Sequence, residues 1–143
     1  MRIIKLSPSD EDMKDLEKVQ DYFERKLQRR KPRGQFLLTK GRISKKGISP
    51  GEMIIFSYNT EIVYLALSDS DRQDTTGPES IKYPHYFCID TETIVKGRGT
   101  LSNLEHRLNQ HDGSNKNIVH TQGWPKFKDT PGMKLIWEQF KSQ

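Results

Sequence analysis

The chain has 143 residues, of which 32% are hydrophobic and 30% charged, and its formal net charge is +5 at pH 7. This length fits one domain that can fold without disulfides or structural metals. The single cysteine, Cys88, excludes an internal disulfide and a zinc site built on cysteines, and no apolar run reaches the roughly 18 residues of a membrane span. The sequence therefore predicts one cytoplasmic domain with no membrane partner.

The first predicted element is an amphipathic helix from Ser9 to Arg30. Pro8 suits its first turn, and the acidic residues that follow favour the positive end of the helix dipole. Its apolar stripe recurs at spacings of three and four and consists of Met13, Leu16, Val19, Phe23 and Leu27. Because Pro32 ends the helix, residues 1–32 are predicted as a basic helical arm and residues 33–141 as the core of a single domain, 1–143.

Positive charge is concentrated in one block of the chain. Residues 25–51 contain ten basic and no acidic residues, whereas the remainder contains 14 basic and 19 acidic residues, a net of −5. Such a block creates a local field suited to a polyanion. The predicted phosphate-binding residues are Arg29, Arg30, Arg33, Lys40, Arg42, Lys45 and Lys46.

After Pro32 the pattern predicts short strands and two helices. The strands cover 35–39, 52–58, 61–67, 83–95 and 118–121, and the helices cover 101–110 and 132–141. Asn59 and Thr60 join two apolar strands and predict a tight β-hairpin turn. A basic loop, 40–51, follows the first strand. The order of elements predicts an α+β fold, a small mixed β-barrel with flanking helices.

Catalytic and metal-binding patterns are missing from the sequence. The four histidines, which lack metal-ligand spacing, are His85, His106, His111 and His120. The aspartates of residues 69–74 lack the glycine and glutamate of a calcium loop. Cys88 has apolar neighbours, which favour an inert thiol. We therefore predict no catalytic residue, no metal and no cofactor.

Aromatic residues lie close to this positive charge in the sequence. Tyr58 and Tyr64 flank the predicted hairpin turn, and Trp124 lies in the loop-like segment HTQGWPKF. Aromatic side chains next to cationic grooves are typical of proteins that hold unpaired bases. Core packing is the alternative role for each aromatic residue.

Three segments resemble the PUA-like superfamily. PGEMIIFSYNTEIVYLALSDSD (50–71) resembles the central hairpin of PUA-like domains, and YPHYFCIDTETIV resembles their next strand. NIVHTQGWPKF, followed by a terminal helix, is similar to the closing segment of EVE and YTH domains. The resemblance covers about residues 33–141 and implies a PUA/EVE/YTH-like mixed barrel.

The resemblance also implies a function. Members of the superfamily bind RNA or DNA, and EVE and YTH domains commonly capture one modified base in an aromatic pocket. It implies a pocket for a methylated base formed by Ser57, Tyr58, Tyr64, Gln122 and Trp124, beside the basic loop. Because some members are specificity modules of modification-dependent restriction systems, it further implies a part in such a system within a larger assembly.

Three alternatives stay open beside this non-enzymatic reader of nucleic acid. The first is a PUA- or ASCH-like RNA-binding protein without modification preference. The second is a protein-interaction module whose basic helix binds an acidic partner. The third is a ribonuclease of the ASCH kind that uses Lys40 or Tyr58.

Overall fold

The computed structural model describes residues 1–143, which form one curled β-sheet packed against helices. The strands are β1 (Arg2–Leu6), β2 (Gln35–Leu38), β3 (Met53–Tyr58), β4 (Glu61–Ser68), β5 (Gln73–Asp74) and β6 (His85–Lys96). The helices are α1 (Leu16–Asp21), α2 (Leu27–Arg29), α3 (Leu101–Asp112) and α4 (Pro131–Gln139). A π-helical segment, Tyr22–Lys26, joins α1 to α2, and Glu11–Met13 and Pro78–Ile81 are 3₁₀ turns. None of these helices has the length and apolar character needed to cross a bilayer.

The sheet curls because its longest strand bends. The strand order is β1-β3-β4-β6-β2, with β1 parallel to β3 and the other pairs antiparallel, and β5 also pairs with β6. The β4–β6 register jumps from Leu65↔Val95 to Leu67↔Asp90, so β6 bulges between these pairs. Thr93 Oγ1 accepts a hydrogen bond from the Leu67 N–H at 2.8 Å inside this bulge. The result is a half-barrel.

Two apolar cores form on the two faces of the sheet. Side chains of β3 alternate between them, because successive side chains of a strand point to opposite faces. Ile54 and Phe56 pack with the helix of residues 16–29, whereas Met53 and Ile55 pack with α3 and α4. As a central strand covered on both faces, β3 is buried throughout. Strand β3 therefore offers no accessible side chain for a binding site.

The predicted hairpin between β3 and β4 is confirmed. Asn59 and Thr60 have φ values of 50° and 65°, and a positive φ at both central positions is typical of a type I′ turn. Asparagine tolerates this conformation, but a β-branched residue is strained in it. Thr60 therefore costs this turn some stability.

Replacing Thr60 with glycine is expected to raise the free energy of unfolding by about 1 kcal/mol, because glycine adopts positive φ without a steric penalty. Urea unfolding followed by circular dichroism measures this change. Asn59→Gly is the matched control and should give a smaller gain. A less stable Thr60→Gly variant would contradict the strain at this position.

The predicted N-terminal helix is wrong at its beginning. Residues 2–6 form β1, and the helix starts only at Leu16, after the 3₁₀ turn. Asp15 caps it by accepting a hydrogen bond from the Lys18 N–H at 2.8 Å. The apolar run of residues 3–6 is buried as a strand parallel to β3, which local helix signals do not reveal. The apolar stripe is correct from Val19 to Leu27, since its residues are buried.

The strand predicted for residues 118–121 is also wrong. This segment is irregular, and the Lys5 ammonium holds it by donating to the carbonyl oxygens of Ile118 and Thr121. The following residues instead extend the free edge of β1. The Ile3 N–H donates to the Pro125 carbonyl at 2.9 Å, and the Phe127 N–H donates to the Met1 carbonyl at 2.7 Å.

Candidate functional site

An open cleft of about 240 Å³ lies on the side of the sheet covered by the helix of residues 16–29. The loop after β1, the end of α2, strand β2 and the segment before β6 border it. Four aromatic residues line it: Tyr22, Phe36, Tyr83 and Trp124. A larger surface groove on the helix of residues 16–29 is lined by polar and charged residues alone.

Trp124 forms one wall of the cleft. The pairing of residues 125–127 with the edge of β1 fixes the backbone next to it. The half-buried indole packs edge-on against Phe36, with ring centroids 6.5 Å apart. The Arg42 guanidinium lies 5.1 Å from the indole centroid, within the range of a cation–π contact. The ring is thus held in place while part of it faces the cleft.

Tyr22 and Phe36 form the deeper, buried part of the cleft. Their rings are perpendicular, with centroids 6.1 Å apart, and only 4% and 6% of the two residues is exposed. Burial raises the pKa of Tyr22 above its ordinary value, so this phenol stays neutral. The Arg30 guanidinium lies 5.4 Å from the Tyr22 ring centroid. These two rings therefore present little surface to a ligand, and the more accessible rings of the cleft are those of Tyr83 and Trp124.

Charged groups surround the aromatic surface. Four cations and two carboxylates line the cleft: Lys5, Arg30, Arg42, Lys82, Asp10 and Asp12. Asp12 forms ion pairs with Arg30 at 3.3 Å and with Lys26 at 2.7 Å. Asp10 Oδ1 accepts a hydrogen bond from the Asp12 N–H at 2.9 Å. The lining groups therefore carry two more positive than negative charges.

The basic loop between β2 and β3 has a fixed conformation. Ile43 and Ile48 anchor it in the core, with 2% and 1% of their surface exposed. The Ile43 carbonyl accepts a hydrogen bond from Arg72 at 2.9 Å, and the Gly47 carbonyl accepts one from Lys126 at 2.6 Å. The lysines of this loop, Lys40, Lys45 and Lys46, are exposed. They lie on a fixed loop beside the cleft.

Of the five predicted pocket residues, the structure places only Trp124 in the cleft. Tyr58 is a core residue whose hydroxyl donates to the Met13 carbonyl at 2.7 Å. Tyr64 is also buried and stacks on Phe23, with centroids 4.6 Å apart. Ser57 is buried, and Gln122 is exposed near Trp124 without lining the cleft. Ser57 and Tyr58 have no free face because β3 is central.

The predicted phosphate-binding residues separate into groups. Arg30 and Arg42 line the cleft, and the three lysines named above are exposed on the same loop as Arg42. Arg29 is exposed at the end of α2. Arg33 lies elsewhere, in a groove whose other charged residues are Asp69, Asp90 and Glu92. This acidic surrounding makes Arg33 the poorest phosphate ligand of the set.

Most lining residues were missed by the sequence prediction, among them Asp10, Tyr22, Phe36, Lys82 and Tyr83. A detectable signal was the apolar run IIKL followed by Ser-Pro-Ser-Asp, which is typical of a strand that ends in a polar loop. Recognising that strand would have placed Asp10 in a loop at a sheet end. Tyr22 and Phe36 carry no comparable signal, because buried aromatic residues look alike in sequence.

Comparison with known proteins identifies the fold. No protein-family model matches the chain, and no curated protein matches it. Among solved structures, the chain is similar to the YTH domain of the Zygosaccharomyces rouxii MRB1 protein, solved in complex with N6-methyladenosine RNA. The TM-score is 0.55 and the identity 17%, over 97% of this chain and 84% of that chain. The YTH-like part of the predicted α+β fold is thus confirmed, whereas this comparison does not show the resemblance to PUA and EVE domains.

Proposed function

We propose that this chain is a non-catalytic RNA-binding module that holds one methylated base in the cleft while the basic loop binds phosphates. The observation that carries the proposal is the half-buried Trp124 ring, which walls an aromatic cleft beside a fixed cationic loop. Stacking and phosphate contacts are the two interactions that hold single-stranded nucleic acid.

The size of the cleft favours a single base. Sites for drug-sized ligands have volumes of about 300–1,000 Å³, and this cleft has about 240 Å³. A base stacked on one aromatic side chain gains about 1–3 kcal/mol. The phosphates on either side would stay outside the cleft, where the exposed lysines of the basic loop can contact them. Their contacts would supply most of the affinity and make it depend on salt.

Asp10 offers a hydrogen-bond acceptor for the edge of the base. One of its oxygens, Oδ1, accepts from the Asp12 N–H, which leaves Oδ2 for a ligand. Carboxylates accept hydrogen bonds from exocyclic amino groups of bases. N6-methyladenine keeps one N–H on its exocyclic nitrogen, and its methyl group adds apolar area for the aromatic surface to cover. A base of this chemistry therefore suits the lining residues.

The charge of the cleft favours a neutral base over a methylated ammonium group. Aromatic cages also bind quaternary ammonium ligands such as methyl-lysine. Here the lining cations outnumber the carboxylates by two, and Asp12 is already paired with Arg30. A cationic ligand would meet net repulsion, whereas a neutral base on an anionic backbone would meet attraction.

The structural neighbour supports RNA as the class of ligand, because that YTH domain was solved with methylated RNA. DNA binding, a part in a modification-dependent restriction system and a multi-subunit assembly find no such support. A cytoplasmic location and the lack of catalysis stay predictions.

The protein-interaction module and the ribonuclease have less support than the proposed RNA-binding module. On the helix of residues 16–29, Lys26 pairs with Asp12 and Arg25 lies 3.6 Å from Asp21, so two of its basic residues already have acidic partners within the chain. A ribonuclease that uses Tyr58 would need an accessible phenol, but this hydroxyl is buried and bonded to the Met13 carbonyl. The remaining alternative is RNA binding without modification preference. The experiment below must distinguish it from recognition of a methylated base.

Binding of short single-stranded RNAs that differ only in one central base tests the proposal. Fluorescence anisotropy should give an affinity about tenfold higher for N6-methyladenosine than for adenosine, because one methyl group in an apolar site contributes about 1–3 kcal/mol at most. Matched DNA probes and RNA with 5-methylcytidine complete the panel. Equal affinity for all probes would reject methyl recognition and leave a general binder of nucleic acid.

A further inference from the structure

Ile81 is the most exposed large apolar side chain of the chain. It is 90% exposed, whereas the other exposed large hydrophobic residues, Leu16, Val95 and Leu135, are 46%, 37% and 64% exposed. Ile81 directly precedes Lys82 and Tyr83, which line the cleft. It thus lies at the rim of the site, where an apolar side chain without protein contacts is available to a ligand.

The segment that carries Ile81 is held by its own hydrogen bonds. Its base is closed by the pairing of β5 with β6 and by the bond from the Thr75 N–H to the Pro84 carbonyl at 3.0 Å. Within it, the Tyr83 N–H donates to the Glu79 carbonyl at 2.8 Å. The 3₁₀ turn that ends at Ile81 therefore holds this residue in a defined position at the rim.

We infer that Ile81 is a wedge that contacts the nucleotide next to the base held in the cleft. Apolar side chains that bind nucleic acids commonly insert between neighbouring bases and unstack them. A base can enter the cleft only after it leaves its neighbour, and that neighbour then exposes an apolar face. Ile81 covers this face, and the ammonium group of Lys82, which lies 5.3 Å from the Tyr83 ring centroid, would contact the connecting phosphate. This inference rests on the proposed function, since it requires a base bound in the cleft.

Ile81→Ser tests the wedge, with Leu135→Ser on α4 as the matched control at another strongly exposed position. Each variant is measured with a short RNA containing N6-methyladenosine and with the free N6-methyladenosine nucleoside. Ile81→Ser should weaken RNA binding by about tenfold, because it removes apolar contact with the neighbouring base. The Ile81→Ser variant should bind the nucleoside as tightly as the unsubstituted protein does, because the nucleoside has no neighbouring nucleotide for Ile81 to contact. Leu135→Ser should change neither affinity.

A second readout follows the neighbouring base directly. With 2-aminopurine next to the methylated base, binding of the unchanged protein should raise the fluorescence, because this base analogue is quenched when it is stacked. Ile81→Ser should give a smaller rise when the RNA is saturated with protein. Unchanged RNA affinity in Ile81→Ser, or an equal loss for RNA and nucleoside, would overturn the wedge alone. If the unchanged protein binds neither ligand, the proposed function fails, and the wedge fails with it.

Discussion

Replacing Trp124 with alanine is expected to weaken binding of N6-methyladenosine RNA by about 5- to 150-fold, which corresponds to the roughly 1–3 kcal/mol that one stacked base contributes. The ratio of the affinities for methylated and unmodified RNA should fall towards one, because the indole supplies the apolar surface that the methyl group covers. Stability should fall less than for truncation of a fully buried tryptophan, since Trp124 is only partly buried at the edge of its core. Anisotropy titrations with both RNAs and a thermal melt measure these effects.

Trp137→Phe is the control for removing an indole. Trp137 is buried in the other core, where its Nε1–H donates to the Ile54 carbonyl at 3.0 Å. Losing this bond should lower the free energy of unfolding by about 1–3 kcal/mol and leave RNA affinity unchanged. Trp124→Phe keeps an aromatic ring and should recover part of the binding. An unchanged methyl preference in Trp124→Ala would remove this residue from the site.

The second large effect is expected from reversing the charges of the basic loop. The triple variant Lys40→Glu, Lys45→Glu, Lys46→Glu should bind all single-stranded RNAs at least about 100-fold more weakly near 0.1 M salt. The slope of log affinity against log salt should become shallower by about 2, since each lost phosphate contact on a single strand accounts for about 0.7. The methyl preference should persist, because none of these lysines lines the cleft.

A pair of single variants controls for net charge. Lys45→Glu and Lys134→Glu change the total charge equally, but Lys134 lies on α4, which packs against the other core. Only Lys45→Glu should weaken RNA binding measurably. Equal losses in both variants would mean that overall charge, rather than the loop beside the cleft, determines the affinity.

The local pattern of the sequence was sufficient for most elements from residue 35 onward. The strands β2, β3, β4 and β6 and the helices α3 and α4 lie close to their predicted positions, because each has its own periodicity and turn residues. The Asn59–Thr60 turn was predicted for the same local reason. The basic block also stands out in sequence, since charge can be counted without a fold.

The candidate site could not be predicted in this way. Its lining comes from the loop after β1, the helix of residues 16–29, β2, the segment before β6 and the loop that contains Trp124. In the sequence, Tyr58 lies beside a turn and Trp124 in a loop, so both were predicted to contact a base. Only the sheet order shows that Tyr58 belongs to a strand covered on both faces.

By itself, the sequence determined an α+β fold with a concentrated cationic loop and one tryptophan between a glycine and a proline. The tertiary structure decided which aromatic residues remain accessible. Parallel pairing of β1 with β3 recruits residues 2–6 into the sheet and brings Asp10, Tyr22 and Trp124 to one cleft. Such pairing depends on contacts between residues about fifty positions apart, and local propensity carries no information about them.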